Sequence, residues 1–322
     1  MIIVTGAAGF IGSALIWKLN KKNVNDIVAI DNLYQGEKWL NLRKRNIYDF
    51  VKKEDAENYL KNIKKDIEAI IHLGARTDTA EKDVDFLLKK NFEHSKLIWN
   101  ICKKKNIPLL YASSAATYGD GSNGFLDNEK KINSLKPLNP YGWSKQLFDQ
   151  WVMQQKEKIN KWHGFKFFNV YGPQEYHKKQ MASVIFHAFN QVEKEKKISL
   201  FKSYDKNYMD GEQKRDFIYV KDVVDILVDF LENKRKNGIY NVGTGKAYTF
   251  NELAKYTFSA MGKKQRIEYV EMPDEIKENY QYYTKAKINK LKNAGYTKKI
   301  CTLEEGITDY VKNHLIKNDR YL

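Results

Sequence analysis

The sequence predicts an α/β fold of the Rossmann type, a doubly wound parallel sheet joined to a smaller mixed α/β substrate-binding lobe. Three observations carry this expectation. The chain opens on a short apolar run that breaks into glycines spaced G-x-x-G-x-x-G, at Gly6, Gly9 and Gly12, and resumes with helical periodicity. Apolar runs of strand length then alternate with helical patterns as far as residue 168. Asp31 closes the second of those runs, nineteen residues after Gly12, where a carboxylate can accept a hydrogen bond from an adenosine ribose.

Met1 to Thr5 is the first expected strand. The glycines after it permit a sharp turn and a close approach of backbone to a pyrophosphate, whose charge meets the free amides and positive end of the next helix. In that helix Ile11, Leu15 and Leu19 recur at intervals of four and should form the buried face. Ile27 to Ile30 is the second strand. The loop-like stretch 32–45 carries Lys38, Arg43 and Arg45, with Lys53 just beyond. Cations here favour a 2′-phosphate and therefore NADP, whereas Asp31 alone favours NAD. Ala69 to Leu73 should be a buried strand that delivers Gly74, Ala75 and Arg76 beneath a cofactor. His72, inside that run, is expected as a hydrogen-bonded core residue and not a catalyst. A helix is expected from Val84 to Lys105, with Phe86, Leu87, Phe92, Leu97, Ile98 and Ile101 on its apolar face.

Pro108 to Ser114 reads as a strand ending in two hydroxyls, Ser113 and Ser114, which should face the crevice beyond the carboxyl ends of the sheet. Asn139-Pro140 then makes a turn before a helix that sets Tyr141 and Lys145 on one face, four residues apart. A positive charge beside a phenol favours phenolate and brings a group that titrates near about pH 10 towards proton transfer at neutral pH. A solvated amphipathic helix start would carry the same two residues. A further strand is expected from Trp162 to Val170, a helix from Met181 to Val192, and returns to the large sheet at Arg215–Val220 and Ile239–Gly245. The expected division is a dinucleotide-binding domain at 1–168, with returning segments at about 215–245, and a substrate-binding lobe from 169–214 and 246–322.

Composition narrows the function. At 322 residues and 42% hydrophobic content the chain can bury a large core, and no segment reaches the roughly 18 apolar residues of a membrane span. Lys and Arg number 56 against 40 acidic residues, but the lysines are scattered and accompany no nucleic-acid-binding motif, so neither nucleic acid nor membrane is an expected partner. Cys102 and Cys301 are the only cysteines and lack metal-site spacing, so no metal is expected. Strand residues begin at Ile2 without a basic or apolar leader, which fits a cytoplasmic protein.

On the glycine turn, the Ser114, Tyr141 and Lys145 group, Asn169-Val170-Tyr171-Gly172-Pro173, Arg215-Asp216-Phe217 and Asn241 to Gly245, the chain resembles the extended short-chain dehydrogenases/reductases, the superfamily of nucleotide-sugar epimerases and dehydratases. Tyr111 to Gly119, Phe168 to Pro173, His177-Lys178 and Met181 to Val184 narrow the resemblance to 6-epimerases of an ADP-activated heptose used in lipopolysaccharide core synthesis. The resemblance implies inversion at sugar C6 by transient oxidation with tightly bound NADP, NAD being the other candidate, and re-reduction on the opposite face. It implies Tyr141 and Lys178 as the two acid/base groups, Ser114 beside the phenol, and Lys145 on the nicotinamide ribose, lowering the phenol pKa. Phe10, Ile11, Asp31, Asn32, Lys38 and Lys53 match cofactor positions, joined by Leu73, Gly74, Ala75, Arg76, Val170 and Lys178. Asn169, Gln180, His187, Phe201, Lys202, Ser203, Tyr204, Arg215 and Tyr280 match positions that hold an ADP-sugar. A homo-oligomer is implied, a pentamer being one form. The chain departs from the pattern at Gln174 and Tyr176, where the family often has Arg and Gly, at Lys179-Gln180 in place of Gly-Ser, and in a longer 205–213 stretch. A UDP-sugar 4-epimerase uses the same Ser, Tyr and Lys, and a non-catalytic dinucleotide sensor would keep the fold. A 4,6-dehydratase is disfavoured, because Ala115 and Ala116 stand where those relatives carry an Asp-Glu pair.

Overall fold

The computed structural model describes residues 1–277 and 280–322. In chain order the strands are β1 (Ile2–Thr5), β2 (Ile27–Ile30), β3 (Asp49–Val51), β4 (Ala69–His72), β5 (Leu109–Ser114) and β6 (Trp162–Phe167). They continue with β7 (Asn169–Tyr171), β8 (Ile198–Phe201), β9 (Lys214–Arg215), β10 (Phe217–Tyr219), β11 (Gly238–Val242), β12 (Tyr248–Thr249) and β13 (Ile267–Val270). Seven of them form one sheet in the order β11-β6-β5-β4-β1-β2-β3, every neighbouring pair parallel. The chain runs outward from β1 to β3 and then returns to the other side of β1 at β4. That reversal opens the crevice where doubly wound sheets bind ligands.

Side chains alternate across the sheet because successive residues of a strand point to opposite faces. Ile2, Val4, Ile27, Ala29, Ala69 and Ile71 pack with Leu15 and Leu19 of the helix Phe10–Lys21 and with the helix Val220–Glu232. Ile3, Val28, Ile30, Ile70, Leu109 and Tyr111 pack on the other face with the helices His94–Lys105 and Pro140–Gln154. Both faces are covered, so the strands are near-continuous apolar runs. Among the described residues no helix is long and apolar enough to cross a membrane, and no cluster of three or more His, Cys, Asp or Glu could hold a metal ion.

Four expectations are corrected. The Trp162–Val170 strand breaks at Phe168, whose ring packs with Tyr118 and Phe125; β6 stays in the large sheet while β7 pairs with β10. Of the two expected returns to that sheet, only β11 joins it. The Val84–Lys105 helix contains a π turn at Leu88–Glu93, which rotates the remainder so that Trp99 and Cys102 are buried with Ile98 and Ile101. The helix placed at Met181 begins at Val184, because the Ser183 hydroxyl accepts from the Phe186 amide and caps it. Beyond β7, the paired strands β8 and β13 and β9 and β12 pack with the helices Val184–Glu195, Phe250–Ala260 and Leu303–Tyr310.

Candidate active site

The glycine turn crosses the amino end of its helix at backbone contact. A Cβ on Gly12 would lie 2.1 Å from the Gly6 carbonyl oxygen, so that position admits no side chain. Gly9 caps the helix without a side-chain bond and no acidic residue occupies the first turn, leaving its amides and dipole for an anion. Phe10 is buried at the start of this helix and Ile11 is half-buried.

Asp31 is already engaged. Its Oδ2 accepts from the Ala8 amide at 2.9 Å, and its Oδ1 accepts from the Asn32 amide at 2.7 Å and Lys38 Nζ at 2.5 Å. The Asn32 side chain receives the Lys53 amide at 3.0 Å and donates to Glu54 at 2.8 Å. Lys53 is held below its ordinary pKa by burial and by the neighbouring Lys90 and Lys38, which marks a local excess of positive charge. Lys90 carried no signal in the sequence; the π turn brings it here.

Behind the turn, the Gly74 amide donates to Thr5 Oγ1 at 3.2 Å, and Thr5 Oγ1 lies 2.6 Å from His72 Nδ1. His72 Nε2 is 3.0 Å from Ser95 Oγ, and burial holds the ring well below its ordinary pKa. It is the satisfied core histidine expected. Leu73, Gly74 and Ala75 follow half-buried. The Arg76 backbone is gripped by buried Asn91, which accepts from its amide at 2.8 Å and donates to its carbonyl at 2.9 Å and to Ser144 Oγ at 3.0 Å. The Arg76 guanidinium turns to its own loop and pairs with Asp78 and Glu81.

Asn139 caps the helix Pro140–Gln154, its side chain accepting from the Gly142 amide at 2.8 Å, and Pro140 fits the first turn. A Cβ on Gly142 would lie 2.7 Å from the Ala116 carbonyl oxygen, so this glycine lets the helix press against the turn that follows Ser114. Tyr141 and Lys145 are both buried. The lowered phenol pKa expected from Lys145 is not what the structure gives: burial raises Tyr141 above its ordinary value, opposed by the Ser114 hydroxyl. Lys145 Nζ donates to the Ala112 carbonyl at 3.0 Å, and burial lowers its pKa to about 8, opposed by Asp149. Asp149, one turn further along the helix, accepts from Lys166 Nζ and Ser113 Oγ at 2.7 Å each and from the Tyr111 hydroxyl at 3.2 Å. Its place four residues after Lys145 was readable in the sequence; its partners were not.

Lys178 stands on a turn built around a fully buried carboxylate. Glu175 accepts from the Gly172 amide at 3.1 Å, the Ser183 amide at 2.5 Å and the Ser183 hydroxyl at 2.8 Å, while its carbonyl accepts from the Lys178 amide at 2.9 Å. Lys178 Nζ lies 5.5 Å from the centre of the Phe10 ring, which brings it to the glycine turn. Burial lowers its pKa, opposed by the Glu175 charge. Lys179 adopts φ 51° and ψ −122°, a backbone state that favours the glycine the family often has there.

On β9, Arg215 is 7% exposed with its guanidinium 5.3 Å from the Tyr280 ring and 5.9 Å from the Phe250 ring. Among the described residues no carboxylate lies within ion-pair distance of it. A buried cation of this kind suits an anionic ligand. Tyr282 stacks on Tyr208 from the 205–213 stretch, and its hydroxyl accepts from the Tyr204 amide at 3.0 Å. Neither tyrosine was singled out from sequence. Phe201 and Ser203 are half-buried beside them, whereas Lys202 and Tyr204 reach outward to Glu271. His187 Nε2 lies 3.3 Å from the Gln180 carbonyl oxygen, which joins those two positions. Asn169 is exposed and Val170 half-buried on β7, in register with Phe217 and Ile218.

A parallel sheet with a glycine turn at its switch point, a buried Tyr and Lys one turn apart and a second lysine at the turn define a nicotinamide-dinucleotide enzyme of Rossmann type. The chain belongs to the NAD dependent epimerase/dehydratase family, whose profile matches residues 2–243. It is 51% identical to an ADP-L-glycero-D-manno-heptose-6-epimerase of Fusobacterium nucleatum and 45% identical to one of Nitratidesulfovibrio vulgaris, each match covering 100% of both chains. A crystal structure of an ADP-L-glycero-D-manno-heptose-6-epimerase from Helicobacter pylori matches with a TM-score of 0.80 at 28% identity, covering 97% of this chain and 95% of that one.

Two outcomes follow from this geometry. Gly142→Ala should lower turnover at least about tenfold with the fold retained, because the added methyl must push the helix away from the Ser114 turn; steady-state kinetics and circular dichroism check it. Lys145→Met should stabilise the dinucleotide-free protein below pH 8 while removing turnover. Its folded pKa of about 8 against 10.5 means that burying the charge costs about 3 kcal/mol while the lysine is protonated in both states. The penalty fades as pH rises from about 8 to 10.5, so the stability advantage in urea titrations should shrink across that window.

Proposed function

We propose that the chain converts ADP-D-glycero-D-manno-heptose to ADP-L-glycero-D-manno-heptose, with tightly held NADP. The observation that carries this reading is a pair of proton carriers, buried Tyr141 and half-buried Lys178, pushed in opposite directions, Tyr141 upward and Lys178 downward. Groups separated in this way suit an acid and a base within one site. The full-length identity to the Fusobacterium and Nitratidesulfovibrio proteins supports the choice of sugar.

The bound dinucleotide supplies the hydride acceptor and donor at C6. Lys178 Nζ, in its unprotonated form, would take the proton of the C6 hydroxyl as the carbon becomes a ketone. After the ketone has presented its other face, the Tyr141 phenol gives its proton to the oxygen; the two exchange roles in the reverse direction. Lys145 Nζ holds the nicotinamide ribose and Ser114 steadies the oxygen beside the phenol. Arg215, buried over Tyr280, takes the pyrophosphate charge of the ADP. Asn169, Gln180, His187 and the 201–204 stretch bound the sugar and nucleoside. Elimination of water finds no partner at Ala115 and Ala116, which carry no transferable proton.

For the dinucleotide, the Gly6–Gly12 turn and free helix amides would hold the pyrophosphate, and Leu73 to Arg76 with Val170 would help hold the nicotinamide end. Lys38 neutralises Asp31, while Lys53 and Lys90 add positive charge, which supports a 2′-phosphate and hence NADP. A homo-oligomer, a pentamer being one form, goes with this reading.

The test is proton-NMR of ADP-D-glycero-D-manno-heptose incubated with the protein. Conversion is expected, with Tyr141→Phe and Lys178→Met each losing at least about a hundredfold in turnover while keeping their dinucleotide. Unchanged turnover in either variant, or conversion of UDP-galactose instead, overturns the reading. Lys53→Met should weaken NADP binding about tenfold or more and leave NAD binding nearly unchanged; fluorescence titration with NADPH and NADH reads both.

A further inference from the structure

Residues 317–322 lie across two loops that belong to opposite sides of the site. On one side Asp319 pairs with Arg43 at 2.7 Å and Lys44 at 2.6 Å, Lys44 donates to the Tyr321 carbonyl at 2.9 Å, and the Arg45 guanidinium donates to the Leu322 carbonyl. On the other side the Tyr176 hydroxyl donates to the Arg320 carbonyl at 2.8 Å, and the Leu322 amide donates to Gln174 Oε1 at 3.1 Å. The Tyr321 ring fills the junction, edge-on to Tyr176 at 5.1 Å, with the Arg43 guanidinium 5.1 Å above it.

Beneath this segment the two loops are knitted together by buried amides. Gln174, 0% exposed, donates from Nε2 to the Asn41 carbonyl at 3.0 Å and to Ser13 Oγ at 3.3 Å. Asn41, 1% exposed, returns the contact to the Gln174 carbonyl at 3.1 Å and donates to the Ala8 carbonyl at 2.9 Å. Asn41 Nδ2 is also 3.1 Å from His177 Nδ1, and burial keeps that ring neutral, with a pKa of about 4. Three residues before Asn41 stands Lys38 on Asp31; four residues after Gln174 stands Lys178. Gln174 Oε1 and the Tyr176 hydroxyl both bond the 320–322 backbone.

We propose that residues 317–322 are a strap, and that Gln174, Tyr176 and Asp319 are positioning residues that tie the placement of Lys178 to the holding of the dinucleotide's adenosine end. The inference rests on the proposed role of Lys178 in proton transfer. Each outer contact is individually weak, since exposed ion pairs contribute little. Closed in parallel over a buried amide pair, they limit the motion of both loops together. Such a tie suits a reaction in which the hydride must be handed back before the dinucleotide can leave.

Tyr176→Phe deletes the bond to Arg320 and keeps the ring; Asp319→Ala deletes both ion pairs and is exposed, so neither is expected to prevent folding. Stopped-flow fluorescence measures NADPH release, and NMR measures kcat at saturating sugar and dinucleotide, in the native chain and in a Lys178→Met background. The double variant Tyr176→Phe/Asp319→Ala should release NADPH about fivefold faster or more, and kcat should fall about threefold or more in the native background but less than twofold with Lys178 already replaced. Unchanged release overturns the proposal. So does a fall in kcat of equal size in both backgrounds, which a general loosening of the fold would give. If the native chain turns over no ADP-heptose, the proposed function fails on its own, while faster NADPH release would still support the strap's hold on the dinucleotide and unchanged release would still overturn it.

Discussion

A single carboxylate holds the Tyr141–Lys145 helix to the sheet. Asp149 projects from the Tyr141–Lys145 helix and collects the Lys166 ammonium from β6 and the Ser113 and Tyr111 hydroxyls from β5. Both charged partners are sealed, at 0% and 1% side-chain exposure. Taking two ions out of water is expensive, and their attraction offsets that cost only when every remaining lone pair and proton is satisfied. Here Asp149 has three donors, and Lys166 has a second acceptor in Thr117 Oγ1 at 2.6 Å. The same pair fixes the helix, the Ser114 strand end and the start of the 168–173 connection in one frame. Lys145 shares the pocket, and the Asp149 charge keeps its ammonium from falling further in pKa.

On that frame the site is assembled from groups whose burial works against stability. Lys145, Glu175 and Arg215 are charged side chains withdrawn from water, and each is shifted towards its neutral form by that withdrawal. Glu175 recovers part of the cost through the Gly172 and Ser183 donors that close the Lys178 turn. Arg215 has its own backbone neighbour at 3.0 Å and two aromatic faces, and leaves its charge for a ligand. Tyr141 and Lys178 are displaced in opposite directions by the same physical cause, because burial disfavours the anion of one and the cation of the other.

What could be read from residues alone was local and periodic. The glycine spacing with Asp31, the alternation of apolar runs, the Asn139 cap and the Tyr141–Lys145 spacing depend on contacts within a turn or two, and the structure places each as read. Where reading failed, a distant contact had overridden a local preference. Phe168 left the strand because its ring found Tyr118 and Phe125, and β10 left the large sheet to pair with β7. Asn91 and Lys90 lie within the π turn, and nothing in their sequence neighbourhood announces it. The rise of the Tyr141 pKa was misjudged for the same reason, since spacing reports a neighbouring charge but not the burial that outweighs it.

The sequence by itself determined the parallel sheet, the glycine turn and the placing of Tyr141 and Lys145 on one helix face, because hydrophobic period, glycine spacing and helix caps act over a few residues. Tertiary structure decided how charge is distributed over those groups: Lys38 on Asp31, Asp149 beneath Lys145, Glu175 beneath Lys178, Arg215 left open. Those pairings join residues far apart in the chain or depend on how deeply a side chain is sunk. Both are properties of the packed molecule, in which withdrawal from water sets the cost of every charge.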